Sequence, residues 1–243
     1  MRKRADLLLV ERGFFDSRAR AQAAIQAGLV TADGRPVKKA SEALEPDAVI
    51  EARPAHPFVS RGGVKLDHVL DHFGIAVEGR IALDVGASTG GFSDVLLRRG
   101  AAKVYAVDVG RDQLHASLRG EPRLVSLEGV DARRLDPALI PDAVDLVVAD
   151  VSFISLALVL PPALALAGGG ADLAVLIKPQ FEAGRDRIGK GGIVRDEAVH
   201  AEVCTRIADL VTGLGWRVRG TVPSPIEGGD GNREFLLAAE RVS

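Results

Sequence analysis

From residue 60 onward the chain alternates between two rhythms of apolar and polar positions. Short stretches in which apolar and β-branched residues predominate, at 81–85, 103–108, 123–127, 144–149, 172–177, 216–222 and 234–240, predict strands. Between them, helical spacing at about 62–74, 91–99, 111–118, 155–167 and 196–213 predicts helices, the first two closed by Gly74 and Gly100. Strands alternating with helices indicate an α/β architecture, with a parallel sheet covered on both faces. The first 52 residues follow another pattern. Asp6–Gly13 reads as a short helix stopped by Gly13, and Asp16 or Ser17 caps a second that ends at Gly28. Leu29-Val30-Thr31 predicts a strand, Ala32-Asp33-Gly34-Arg35 a hairpin turn, Val37 the returning strand, and Val49–Ala52 a further one. This gives a small α+β module at 1–52, a stiff connector at 53–59 containing Pro54 and Pro57, and a large domain at 60–243.

Charge sharpens that division. Residues 1–40 hold nine Lys/Arg against four acids, whereas the net charge of all 243 residues is −2. A basic module on an acidic body suggests a polyanionic partner, with a solvated basic face as the plainer alternative. The single cysteine, Cys204, excludes an internal disulfide and fits a reducing, cytoplasmic compartment. No signal peptide is evident. The longest apolar region, Val151–Ala167, contains Pro161-Pro162 and is too short and broken to span a bilayer.

Two stretches twenty residues apart carry the candidate chemistry. Leu83–Phe92 reads as a buried strand running into a glycine-rich turn, and Val104–Asp108 as the next strand, closed by a carboxylate. Such a turn lets backbone approach a ligand, and the following acid can hold ribose hydroxyls, as in Rossmann-like nucleoside sites. A dinucleotide site prefers Gly-x-Gly-x-x-Gly around a pyrophosphate. Here Ser88 replaces the middle glycine, and Asp84 stands two residues before Gly86. That composition favours the cationic, phosphate-free S-adenosyl-L-methionine, with a nicotinamide enzyme as the alternative. The expected cofactor contacts are Asp84, Gly86, Ser88, Thr89, Gly90, Gly91, Phe92, Asp108 for the ribose and Asp131 for the adenine amine.

Asp150 and Lys178 each close a strand, at the carboxyl edge where ligands bind in open α/β sheets. Lys65 begins a helix whose start points to the same edge, and Glu234 begins a last strand that meets it if that strand runs antiparallel. Two lysines among two carboxylates suit removal of a proton from a weakly acidic hydroxyl, because desolvation or a second cation makes a lysine a usable base. Two structural ion pairs are the alternative reading. For phosphate contacts the candidates are Arg2, Lys3, Arg4, Arg18, Arg20 and Lys38, joined by Arg185 and Arg187 in the basic, glycine-rich loop 184–192. His68 and His72 stand four apart on a helix without clear further ligands, so no metal site is expected.

Several motifs together give the chain a family resemblance. They are Arg4–Gly13, Ser17–Gln22 and Ala27–Val30 in the first module, then Ser60–Leu66, the Gly86–Phe92 turn, Asp150–Leu156, Ile177–Glu182 and Gly231–Phe235. The chain resembles the TlyA family of ribosomal RNA ribose methyltransferases, whose name is shared with hemolysin A. The resemblance implies an alpha-L RNA-binding domain of the small-subunit ribosomal protein type, followed by an FtsJ-type methyltransferase domain. It implies a Lys-Asp-Lys-Glu tetrad at Lys65, Asp150, Lys178 and Glu234, with Lys178 central, and methylation of cytidine 2′-hydroxyls in ribosomal RNA of the ribosomal subunits. Many members carry Asn at the place of Asp131, and the family's Arg-x-Trp-Val linker element is replaced here by Arg53–Val59. Two other functions remain open at this point: a non-catalytic RNA-binding assembly factor, and a membrane-active hemolysin.

Overall fold

The computed structural model describes residues 2–228 and 231–242; the side chain of Arg185 lies outside that description, as do Gly229 and Asp230 of the last loop. The chain forms two compact units, Met1–Pro57 and Phe58–Ser243.

The first unit runs β1 (Lys3–Arg4), α1 (Ala5–Glu11), α2 (Arg18–Gln26), β2 (Val30–Ala32), β3 (Arg35–Pro36), β4 (Ala43–Leu44) and β5 (Ile50–Ala52). Strand β1 pairs with β4, and β2 is central in an antiparallel sheet of order β3-β2-β5. Ser17 caps α2 by accepting the Arg20 N–H. Asp33 and Gly34 both take positive φ, 50° and 72°, which the two-residue hairpin turn requires. Val37 does not resume the strand as expected. It is buried just past β3, with its N–H on the Val30 carbonyl at 3.0 Å. Leu8, Leu9, Ala21, Ala24, Ile25 and Val30 form the core. Beside it lies a fully buried acid, Asp6, which accepts hydrogen bonds from Arg4 (3.0 Å), Arg18 (2.9 Å) and Gln22 (2.8 Å).

The second unit adds α3 (Arg61–Phe73), β6 (Ile81–Val85), α4 (Gly91–Arg98), β7 (Lys103–Asp108), β8 (Leu124–Glu128), β9 (Val144–Ala149), α5 (Leu156–Ala165), β10 (Ala167–Ile177), α6 (Pro179–Glu182), α7 (Glu197–Gly213), β11 (Trp216–Pro223) and β12 (Phe235–Arg241). Its seven-stranded sheet has the order β11-β12-β10-β9-β6-β7-β8. Strands β10, β9, β6, β7 and β8 are parallel, β12 is antiparallel to β10, and β11 to β12. Both faces are apolar because alternate residues of each strand serve different layers. Ala82, Leu146 and Val148 pack with α3 and α4, whereas Leu83, Val85 and Val147 pack with α5 and α7.

The helix expected at 111–118 shrinks to a single 3₁₀ turn, Ala116–Leu118. Two carboxylates take the amides that would have started it. Asp108 accepts the Gly110 N–H at 2.7 Å, and Glu128 accepts those of Asp112 and Gln113 at 2.9 and 3.2 Å. Asp112 is then left-handed at φ 58°. The short α6 was not expected from the sequence; Pro179 occupies its first turn, where a missing N–H costs nothing. Among the described residues no helix is long and apolar enough to cross a membrane.

Asp6 generates a pH prediction. Hydrogen bonds from Arg4, Gln22 and Arg18, led by Arg4 and opposed by burial, hold its carboxyl well below the usual range. A depressed folded value means that its contribution is present above the ordinary carboxyl pKa and lost as pH falls through the folded one. Asp6→Asn is expected to lower the melting temperature at neutral pH and to flatten the loss of stability below about pH 4, the ordinary Asp range, measured by thermal denaturation across pH. An Asn variant that melts like the parent at neutral pH would refute this.

Candidate active site

Strand β6 delivers the glycine turn to the carboxyl edge of the sheet. Gly86 has φ 84°, and a Cβ there would lie 2.6 Å from the Asp150 carbonyl oxygen, so no other residue fits without moving backbone. Ser88 follows at φ 48°, and its N–H donates to Asp108 Oδ2 at 2.7 Å. The Gly110 N–H donates to Asp108 Oδ1 at the same distance. Asp108 is therefore fixed through both oxygens, each with further acceptor capacity.

Beside this turn lies a cavity of about 580 Å³. Gly86, Ser88, Asp108, Asp131, Asp150 and Ser152 form much of its polar wall, and Val107, Val109, Val130, Val151, Ile154 and Val159 its apolar wall. Asp131 caps a 3₁₀ turn and pairs with Arg133 at 2.6 Å, which holds its carboxyl down at about 2. The Arg133 pairing could not be read from the sequence.

Other expected cofactor residues do not line the cavity. Asp84 is fully buried and accepts a hydrogen bond from Ser93 Oγ at 2.7 Å. Burial pushes its carboxyl up to about 7, with the nearby Asp150 and Asp108 adding to the rise. Thr89 is exposed, and its carbonyl accepts the His115 N–H. Gly90 and Gly91 begin α4, with Gly91 directed at Ser60, and Phe92 is a core residue among Leu66, Val95 and Leu96. The turn passes into the helix so early that Gly90 faces Leu114 and Leu118, Gly91 faces Ser60 and Phe92 enters the core, while Thr89 is left at the surface.

The tetrad residues assemble at the same edge as two ion pairs. Lys178 follows β10 and Asp150 follows β9; Lys178 Nζ lies 2.6 Å from Asp150 Oδ1. Lys65, in the first turns of α3, donates to Glu234 just before β12, and both are buried. The antiparallel register sets Ile177 opposite Phe235, which places Lys178 and Glu234 as successive neighbours. Gly62 of α3 completes the link, since a Cβ there would be 3.6 Å from Asp150 Oδ2. Removing two ions from water costs several kcal/mol each, so a pair as buried as Lys65–Glu234 is poorly explained as a stabilising device.

The loop after β9 supplies groups that the strand pattern did not single out. Lys178 Nζ donates to Ser152 Oγ at 2.8 Å. Phe153 is held at φ 64°, which costs a bulky residue about 1–3 kcal/mol, and is 91% exposed at the cavity wall. Its ring packs on Phe181 at 5.0 Å. The buried Glu182 grips the same loop, accepting from Ser155 Oγ and the Leu156 N–H, both at 2.7 Å. Such tertiary contacts leave no periodic signal in the sequence.

The expected phosphate contacts are largely paired with acids. Arg2 meets Glu45 and Lys3 meets Glu11, both at 2.6 Å; Arg4 and Arg18 share Asp6; Arg20 meets Asp16 at 3.0 Å; Arg187 meets Glu202 at 2.5 Å. Lys38 is exposed. Arg2, Lys3, Arg4 and Arg18 nevertheless line one open groove of about 620 Å³ with Leu7 and Val10. The His68 and His72 rings are 6.0 Å apart, and no group of three or more His, Cys, Asp or Glu is arranged to hold a metal among the described residues.

Comparison with known proteins places this geometry. Residues 58–241 match the FtsJ-like methyltransferase family, and residues 3–50 match the S4 domain. The 16S/23S rRNA (cytidine-2′-O)-methyltransferase TlyA of Mycobacterium tuberculosis is 47% identical over 238 residues, which cover 97% of this chain and 89% of that protein. Hemolysin A of Brachyspira hyodysenteriae is 38% identical over 234 residues, covering 96% and 98%. A solved Streptococcus thermophilus structure bearing a hemolysin name has a TM-score of 0.78 at 39% identity, covering all of this chain and 89% of that one. The chain belongs to the FtsJ-like methyltransferase family, among the TlyA proteins that join this domain to an N-terminal S4 domain.

Proposed function

We propose that the protein transfers a methyl group from S-adenosyl-L-methionine to the 2′-hydroxyl of a cytidine in ribosomal RNA, in the cytoplasm. The observation that carries this reading is Lys178, held 2.6 Å from Asp150 at the wall of a cavity that also contains Asp108. The cavity suits this cofactor. Asp108, braced by two backbone amides, has lone pairs left for a ribose diol, and Val109 and Val130 offer apolar faces to a base. Asp108, Asp131 and Asp150 make the wall acidic, and Arg133 is already paired with Asp131. That wall favours a cationic ligand over a diphosphate. When bound, S-adenosyl-L-methionine supplies the methyl group on a sulfonium, whose carbon–sulfur bond breaks with its electron pair left on sulfur as the ribose oxygen attacks.

The chain's own part is to place and deprotonate that oxygen. Lys178 Nζ accepts the hydroxyl proton, Asp150 orients the amine, and the buried Lys65–Glu234 pair fixes the neighbouring end of the sheet. Phe153 presents an open ring beside Asp150, a surface on which an unstacked base can lie. The S4 domain, with its groove of Arg2, Lys3, Arg4 and Arg18, is assigned to the RNA backbone, together with Arg20, Lys38, Arg185 and Arg187.

The test is transfer of labelled methyl groups to ribosomal subunits that lack the modification, followed by mapping of the labelled nucleotide. Label is expected on a cytidine ribose; its absence from rRNA would refute the proposal. Lys178→Ala is expected to lose about 10²- to 10⁴-fold in kcat with cofactor affinity unchanged by calorimetry, and near-normal turnover would remove Lys178 as the base. Asp108→Asn is expected to weaken cofactor binding by about ten- to hundredfold, the worth of hydrogen bonds to a charged acceptor. Phe153→Ala is expected to raise the KM for RNA by about ten- to hundredfold and to leave cofactor affinity unchanged. An unaltered KM would show that the ring carries no base.

A further inference from the structure

Lys178 has a second polar neighbour that the tetrad does not include. Its Nζ lies 2.6 Å from Asp150 Oδ1 and donates to Ser152 Oγ at 2.8 Å. The Phe181 ring centre is 6.0 Å away, beyond hydrogen-bonding reach. A tetrahedral amine nitrogen has its Cε bond and three further directions. One of these is assigned to the Ser152 hydroxyl by a hydrogen bond; Asp150 Oδ1 is within ion-pair distance but takes no well-directed hydrogen bond. In the neutral amine, which carries two hydrogens and one lone pair, the bond to Ser152 fixes one hydrogen, and the nearby negative charge of Asp150 favours the second hydrogen over the lone pair on its own side, which leaves the lone pair the remaining direction.

We propose that Ser152 is a positioning residue for methyl transfer: with Asp150 it fixes the rotation of the Lys178 amine, so that its lone pair points at the incoming hydroxyl. This rests on the assignment of Lys178 as base. Asp150 alone leaves the amine free to turn about the Cε–Nζ bond, so its lone pair would sample several directions. The second acceptor removes that freedom before substrate arrives. The loop that carries Ser152 is held for this purpose. Asp150 precedes it with its N–H on the Val85 carbonyl, and Glu182, four residues after Lys178, binds Ser155 and Leu156 at its far end. Base and orienting hydroxyl are thus tied together through the short helix that begins after Lys178. Ser152 is exposed, so its substitution leaves the core untouched.

The experiment compares Ser152→Ala, Ser152→Thr and the parent, as full-length chains. For Ser152→Ala, kcat is expected to fall by about 10- to 100-fold, the scale of an ångström-sized misplacement, with cofactor affinity and the KM for RNA unchanged. Ser152→Thr, which keeps the hydroxyl, is expected to recover most of the rate. Parental kcat in the alanine variant would overturn the proposal. So would a loss of cofactor affinity equal to the loss in rate, which would make Ser152 a cofactor contact. Neutron structures of the parent and Ser152→Ala, which show the amine hydrogens, provide a readout independent of turnover. The Nζ hydrogens are expected in one staggered orientation in the parent and smeared about the Cε–Nζ bond in the variant, and an amine equally ordered in both would overturn the proposal. If the parent methylates no rRNA, the function proposed above fails, and the neutron structures alone decide the role of Ser152.

Discussion

The reversal of β12 is the constraint on which the site depends. In a wholly parallel sheet, the residue preceding a strand lies at the end opposite to the residue following its neighbour. Here β12 runs against β10, with Ile177 opposite Phe235, so the residue before one strand and the residue after the other share an edge. Glu234 and Lys178 become neighbours through backbone pairing alone. Once Glu234 is there, α3 needs only to set its first turns against the same edge for Lys65 to reach it. Gly62 lies against the same edge, with side-chain atoms of Asp150 and Phe92 3.6 Å from the place a Cβ would occupy.

Electrostatics at this edge runs against stability. Asp84, Asp108 and Asp150 converge there, and burial together with the other two carboxylates lifts Asp84 to about 7. The Lys65–Glu234 pair sits in the interior, where its mutual attraction has to offset the loss of two hydration shells. The left-handed Phe153 adds backbone strain. These costs are concentrated within a few residues, while the apolar layers on both faces of the sheet are free of them. Strain and buried charge gathered in one place, against a well-packed support, is how a folded chain keeps reactive groups in an unrelaxed arrangement.

The strands are legible because most are short stretches dominated by apolar and β-branched residues; 81–85, 103–108 and 144–149 agree with the structure to the residue. The sheet edge followed from them, and with it Lys65, Asp150, Lys178 and Glu234, since a residue closing a strand inherits a definite position. Features decided by distant partners were not legible. The 111–118 segment has helical spacing, yet Asp108 and Glu128 capture its amides. The glycine-turn pattern extends the ligand-facing stretch through Thr89–Phe92, although the helix starting at Gly91 turns Gly90, Gly91 and Phe92 away from the cavity and leaves Thr89 at the surface. Ser152 and Phe153 owe their placement to a strained loop and to Glu182, 26 residues beyond Leu156. The charge count of the basic module points to a polyanionic partner or a solvated basic face, but it does not show that Asp6, Glu11, Glu45 and Asp16 neutralise much of it.

That neutralisation has a consequence for recognition. Arg4 and Arg18 both lie on the buried Asp6 carboxylate, itself steadied by Gln22. A free arginine forfeits about 1.5–2 kcal/mol of rotamer entropy when it is immobilised; these two have surrendered much of it during folding. The groove therefore offers a weaker field than its arginine count suggests but a stiffer one, a fixed template of guanidinium planes. A rigid template discriminates by the spacing of the anions it meets, whereas a cloud of mobile cations would accept any polyanion.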